Sequence, residues 1–452
     1  MTKHLLSKLL AGILLLALGA AACTPATTPE PVVVKETVVV EKEVEVTREV
    51  EKEVVVTATP APAEPVTLTY FTFSAAPDHL GELDEMVQLF EASHPGIKIK
   101  VETAAWDDYF TKLQALIAGG TAPDVFELNY ENFVSFAAKG VLLDLSAMAE
   151  GDTAFDPGIF YPRANEAFSL DGMQLGLPET FSTVVLFYNK DLFDQAGLDY
   201  PAADWTWADA VAAAQEMTDA GAGVWGLYSP IQFWEFYKKA AQNNCAFFNQ
   251  DKTEVTINSP ECVAAVETMV DFVASDGVMP GDAEMGGLSD GDLFTSGKLA
   301  MTVTGIWMFA AFEDAPFEWD IQVEPGMAQQ ATHFFANAVS VFAATRHPQE
   351  AWEWVKFFTS SPEMARIRVE SGWELAALDN PAFFEDYMKQ SPPANRPAVF
   401  DSLKYAIVPP VIERQNEMQD ILNTLLEQVK LGQLTAQEAL DQAKVQIEEL
   451  LQ

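Results

Sequence analysis

Hydrophobic and polar positions change rhythm three times along this chain. Residues 9–18 are nearly all apolar, a run too short to span a bilayer comfortably. Residues 24–65 are low in complexity: Thr/Pro/Ala-rich ends flank a Val/Glu/Lys block at 32–56 that has no aromatic residue. Such a block cannot bury a core of its own. Its valines keep neither a period of two nor a clean heptad, which predicts an extended or partly helical stalk, with a short coiled coil as the alternative. From Val66 onward the pattern becomes that of a folded body.

That body begins with strands and helices in turn. Residues 66–73 are β-branched and aromatic, and read as a strand. Residues 80–94 carry Leu83, Met86, Val87 and Phe90 at helical spacing, and Pro95-Gly96 stops the helix. A strand at 97–101, a helix at 109–118 and a strand at 124–128 follow. This βαβαβ order predicts an α/β layer with a largely parallel sheet. Ligands of such sheets sit beyond the carboxyl ends of the strands, which points to the residues after Phe73, around Trp106 and after Leu128. Further on, 184–187, 225–228 and 299–303 read as strands, and 247–258 as a hairpin turning at Asp251-Lys252. Trp352 and Trp354 lie inside a predicted helix, where core packing is their expected role.

Charge and chemistry narrow the function. The formal net charge of −41 sets the chain against nucleic acid and against a basic membrane patch. Most of those carboxylates read as solvated surface. The five histidines are scattered and no CxxC occurs, so no metal site is expected. No phosphate loop and no nucleophile elbow appears, and neither a cofactor nor a catalytic constellation is expected. Cys245 and Cys262 flank the predicted hairpin. In an exported protein such a close pair favours a disulfide, two buried thiols being the alternative.

The first residues carry an address. Lys3 and Lys8, the apolar run, and Gly19-Ala20-Ala21-Ala22 before Cys23 resemble a bacterial lipoprotein signal. The resemblance implies lipidation of Cys23 and a membrane-tethered protein outside the cell. Ala20 stands where that pattern usually has Leu, and an ordinary secretory signal is the alternative.

Four further segments share one likeness. They are Pro123-Asp124-Val125 with 137–142; Tyr188-Asn189-Lys190-Asp191-Leu192-Phe193 with Gly197, Pro201 and Trp205-Thr206-Trp207; residues 294–301 with Gly305 and Trp307; and residues 351–360. In this order they resemble family 1 extracellular solute-binding proteins of ABC importers, the maltodextrin-binding type. The resemblance implies a two-lobed, periplasmic-binding-protein-like α/β fold of type II, with a ligand cleft between lobes joined by a hinge. Crossings are expected near residues 177–179, near 337–343 and after Gly372. Residues 66–178 with 338–372 would form lobe 1, and 179–337 with 373–452 lobe 2, preceded by the signal (1–23) and tether (24–65).

A carbohydrate site needs amides and carboxylates for hydroxyls and aromatic rings for C–H faces. Carried over to this chain, the family pattern nominates Asn129, Glu131 and Asn132 after the third strand, and Glu179 and Ser182 near the first crossing. Trp307 is nominated as a stacking ring, with Trp234, Trp373 and Ser74 as further contacts. The implied function is capture of a mono- or oligosaccharide by a monomer that delivers it to the membrane subunits of an importer. A cationic ligand (polyamine or peptide) remains open because of the acidity, and a glycoside-cleaving enzyme because carboxylates stand near aromatics.

Overall fold

The computed structural model describes residues 33–36, 52–55, 65–73, 77–371 and 374–452. The chain divides into two units, residues 1–64 and 65–452. In the first, strands Val33–Glu36 and Lys52–Val55 pair antiparallel.

The body opens with β1 (Val66–Thr72), α1 (Pro77–Ser93), β2 (Ile97–Thr103), α2 (Trp106–Ala118), β3 (Val125–Asn129) and α3 (Tyr130–Ala138). β1 pairs parallel with β2 on one side and with β3 on the other, as the alternating pattern predicts. Beyond β3 the sheet departs from the expectation of parallel strands. β4 (Leu177–Asn189) is thirteen residues long and buried throughout, and pairs antiparallel with β5 (Met301–Gly305), β6 (Trp319–Val323) and β7 (Thr332–Val341). β7 also pairs antiparallel with β3. The short strands β8 (Leu375–Ala376) and β9 (Ala406–Ile407) join β4 and β7. Among the described residues the sheet is therefore mixed, with nine strands and a central path β6-β4-β7-β3-β1-β2. The physical reason lies in β4: its length lets one half pair on the side of β1–β3 and the other with β5 and β6. A strand bonded this way meets its neighbours without the helical crossovers that parallel pairing demands.

Two smaller expectations shift as well. Residues 225–228 form single bridges to Leu299 and Thr302, and the 247–258 segment closes through one bridge, Phe248 to Val255. Helix Lys190–Ala196 ends at Gly197, whose φ of 68° is one that glycine adopts without strain.

Helices cover the sheet. α4 (Trp207–Met217) packs on the helix at Lys190–Ala196, α5 (Phe233–Gln242) packs on α6 (Pro260–Ala274) and on β7, and α7 (Pro348–Ser360) and α8 (Pro362–Ser371) return to the side of β1 and α1. α9 (Gln415–Lys430) and α10 (Ala436–Leu450) pair with each other and lean on α6. Trp354 is buried edge-on against Tyr70 and Phe90, at 5.6 and 5.0 Å, and Trp352 is buried beside Phe155. The structure joins Cys245, just past α5, to Cys262 in the first turn of α6, with Cα atoms 5.2 Å apart.

Candidate functional site

A cavity of about 520 Å³ opens where β1, β4, β5 and β7 come together. Phe73, at the end of β1, and Trp106, at the start of α2, line one side. Their rings meet edge-on at 5.0 Å, and Trp106 remains 45% exposed, an aromatic face left free for a partner. Trp234 from α5, Trp307 after β5, and His333 and Phe335 from β7 line the other side. Phe335 stands 5.1 Å from Trp307 and 5.6 Å from Trp234, so one strand residue braces both indoles.

The placement of Trp307 depends on the glycine two residues before it. A Cβ at Gly305 would lie 1.9 Å from the Trp307 ring, which only a residue without a side chain permits. The Gly305–Trp307 spacing is thus a steric device that folds the indole back over the end of β5.

Charged groups stand among these rings. Glu235 and Lys238 line the cavity from α5, and behind them Lys238 Nζ reaches Glu235 at 2.7 Å and Glu324 at 2.9 Å. Lys239 Nζ bonds Glu235 at 3.1 Å and the Ser229 hydroxyl at 2.8 Å, and lies 3.9 Å over the Trp207 ring. All four charges are buried. Burial opposes ionisation of Glu235, but the two ammonium groups overcome it and hold its carboxyl below the usual range. Two lysines against two glutamates make this wall polar without net charge. Asp290, which also lines the cavity, accepts from the Thr302 hydroxyl at 3.2 Å.

Polar residues of β4, β7 and the segment before β8 meet at the third wall. Glu374 Oε2 accepts from the Thr180 hydroxyl at 2.7 Å and from the Asn337 amide at 2.9 Å. β7 slips its register against β4 at Asn337/Ala338, opposite Pro178, whose ring nitrogen has no proton to donate.

The residues nominated from the sequence divide into three groups. Trp234 and Trp307 line the cavity. Asn129, Glu131, Asn132, Glu179 and Ser182 are buried behind its wall and do not line it. The Asn129 carboxamide accepts from the Asn132 backbone at 3.3 Å, capping α3, and its amide donates to Glu131. Glu131 lies 3.6 Å from His333, which lines the cavity. Burial pushes the Glu131 carboxyl up to about 8 and holds the His333 imidazole well below its usual range. Glu179 forms an ion pair with Arg368 of α8 and so spends on the protein the charge expected to meet a ligand. Ser182 lies on β4 opposite Phe335 and is 1% exposed. Cys23, Ser74 and Trp373 lie outside the described residues.

Sequence reasoning passed over Gln232, Glu235, Lys238, Asp290, Asn337 and Glu374 as lining residues. Asn337 and Glu374 fall inside the second and third expected crossings, so the crossings themselves were the signal. Glu235 and Lys238 gave none, since charged residues on an amphipathic helix read as surface. Among the described residues no cluster of His, Cys, Asp and Glu could hold a metal ion.

Comparison with known proteins places this architecture. The family of bacterial extracellular solute-binding proteins matches residues 76–365. An ABC substrate-binding protein from Listeria monocytogenes, solved in complex with cycloalternan, is 47% identical with a TM-score of 0.83, over 86% of this chain and 99% of that one. The cyclic alpha-maltosyl-1,6-maltose binding protein from Arthrobacter globiformis shares the fold at a TM-score of 0.71 and 23% identity, over 86% of this chain and 99% of that one. The galactooligosaccharide-binding protein of Bacillus subtilis (strain 168) is 23% identical over 376 residues, 80% of this chain and 84% of its own.

Proposed function

This chain belongs to the family of bacterial extracellular solute-binding proteins, binders and not enzymes, and on that premise we propose that it captures a carbohydrate between its two lobes. The ligand is a mono- or oligosaccharide. The observation that carries this reading is the two-sided aromatic lining, Phe73 and Trp106 against Trp234 and Trp307, interleaved with the amides and carboxylates of Gln232, Asn337, Asp290 and Glu374. Rings cover the C–H faces of a sugar while the polar groups take its hydroxyls. The 47% identity to a protein solved with cycloalternan supports the same ligand class. The cavity volume of about 520 Å³ lies within the range of small-molecule sites.

In this reading residues 66–178 with 338–372 form lobe 1, and 179–337 with 373–452 form lobe 2. Ligand contacts made to both lobes favour the closed form, which is then presented to the membrane subunits of an ABC importer. Cys23 carries the lipid and residues 24–65 the tether, which keep a monomeric binder at the outer membrane face.

A thermal-shift screen across sugars, polyamines and peptides tests the reading. Saturation at a hundredfold over Kd adds about 2.7 kcal/mol of stability. Sugars are expected to shift the melting temperature; a shift by polyamines alone overturns the assignment.

A further inference from the structure

One carboxylate ties together the three segments expected to cross between the lobes. Glu374, just before β8, receives Thr180 of β4 and Asn337 of β7, and both bonds fall on Oε2. Asn337 uses its amide nitrogen twice, toward Glu374 and toward the Thr180 oxygen at 3.1 Å. Glu374 and Asn337 both line the cavity, and Glu374 is partly exposed to it. Two more carboxylates lie behind, Glu127 of β3 and Glu179 of β4, 1% and 2% exposed. Arg368 of α8 is the cation that acts on all three. Glu127 receives the Thr72 hydroxyl, and the phenols of Tyr70 (β1) and Tyr109 (α2) face the same cluster.

Three carboxyls cannot all ionise around one guanidinium in a buried setting. The two sealed ones have only the protein to answer them. Glu374 differs: its second oxygen, Oε1, belongs to a side chain that the cavity reaches. A hydroxyl donated to that oxygen bonds an ionised carboxylate more strongly than a neutral acid.

We propose that Glu374 contacts the bound carbohydrate, accepting a ligand hydroxyl at Oε1, and that Arg368, Glu179 and Glu127 are positioning residues behind it that make binding depend on pH. The inference rests on the carbohydrate reading above. Burial raises the carboxyls of Glu127, Glu179 and Glu374, that of Glu179 to about 7 despite Arg368. Ligand binding favours ionised Glu374, so affinity is full above the raised range and falls as pH drops through it. One proton linked to binding limits the slope to about tenfold per pH unit.

The test is isothermal titration of the full body with cycloalternan and, in parallel, maltotetraose, from pH 8 to pH 5.5. Wild-type affinity is expected to fall as pH drops over that span, by no more than about tenfold per pH unit. Glu374→Gln keeps an oxygen for Thr180 and Asn337; it is expected to bind about fivefold or more weakly at pH 8, with a flat pH profile. Glu179→Gln frees Arg368 for Glu374 and is expected to move the midpoint to lower pH. If Glu374→Gln binds as wild type and keeps its pH profile, the inference is wrong. If Glu374→Gln does not fold, an unmoved midpoint in Glu179→Gln overturns it. Absence of binding of any sugar to the wild type refutes the carbohydrate reading, and this inference with it.

Discussion

The indole of Trp307 lies directly over Gly305, so close that a Cβ at residue 305 would fall 1.9 Å from the ring. Phe335 closes the contact from the other side at 5.1 Å. The ring is held at an angle by backbone on one face of the turn and by an aromatic edge on the other, and stays 37% exposed toward the cavity. Gly305→Ala forces the indole out of this position. It is expected to weaken carbohydrate binding about tenfold or more, with the overall fold retained; titration calorimetry beside a circular-dichroism spectrum separates the two.

The buried array of Lys238, Glu235, Glu324 and Lys239 is expected to be fragile to loss of one member. Lys238→Met leaves Glu324 without its ammonium partner at 2.9 Å. Breaking a buried pair in this way costs about 3–5 kcal/mol. Lys389→Met, which removes an exposed partner of Asp386, is expected to change stability by about 1 kcal/mol or less. Urea denaturation of both variants checks the contrast.

Stability is expected to fall as pH rises from 7 to 8. Glu131 is raised by burial from 4.5 to about 8, so in that window the folded protein keeps a proton that the unfolded chain has lost. A raised pKa of this kind gives stability that is fully present below 4.5 and is lost as pH rises through 8. Glu179, at about 7, adds to the slope mainly below pH 7. His333, held low by burial from 6.5, opposes the fall only weakly there, because the unfolded imidazole is already mostly neutral above pH 7. The Glu131 contribution reaches about 1.4 kcal/mol per pH unit. Glu131→Gln removes it, and chemical denaturation at pH 7 and pH 8 should show a shallower fall.

Cys245 and Cys262, 17 residues apart, restrain α5 against α6. Loop-closure entropy assigns the link about 3 kcal/mol. Cys245→Ser with Cys262→Ser is expected to lower the unfolding free energy by about that amount and to be insensitive to reductant, whereas the wild type loses stability when reduced; thiol titration of the native wild type should find neither cysteine reactive.

Local pattern made part of this molecule legible. The βαβαβ opening, the buried Trp352 and Trp354, and the cysteine pair follow from propensity, period and spacing. Trp307 follows from the family resemblance of the segment around Gly305. Other features depend on contacts far apart in sequence. β4 reads as one apolar run, and nothing in it says that both its halves pair with antiparallel neighbours. Asn129, Glu131 and Asn132 sit after a strand end, where ligands are expected, yet they bond one another and cap α3. Glu179 meets Arg368 across 189 residues. Lys238 and Lys239 look like a solvated helix face until Glu324, 86 residues from Lys238, is brought against them.

The most direct test of the carbohydrate reading is titration calorimetry of wild type and Trp307→Ala with cycloalternan and maltotetraose. Saturable one-to-one binding to the wild type, weakened about tenfold or more in Trp307→Ala, is the predicted result. Heat from a polyamine with none from either sugar, or equal affinity in the two proteins, would contradict it.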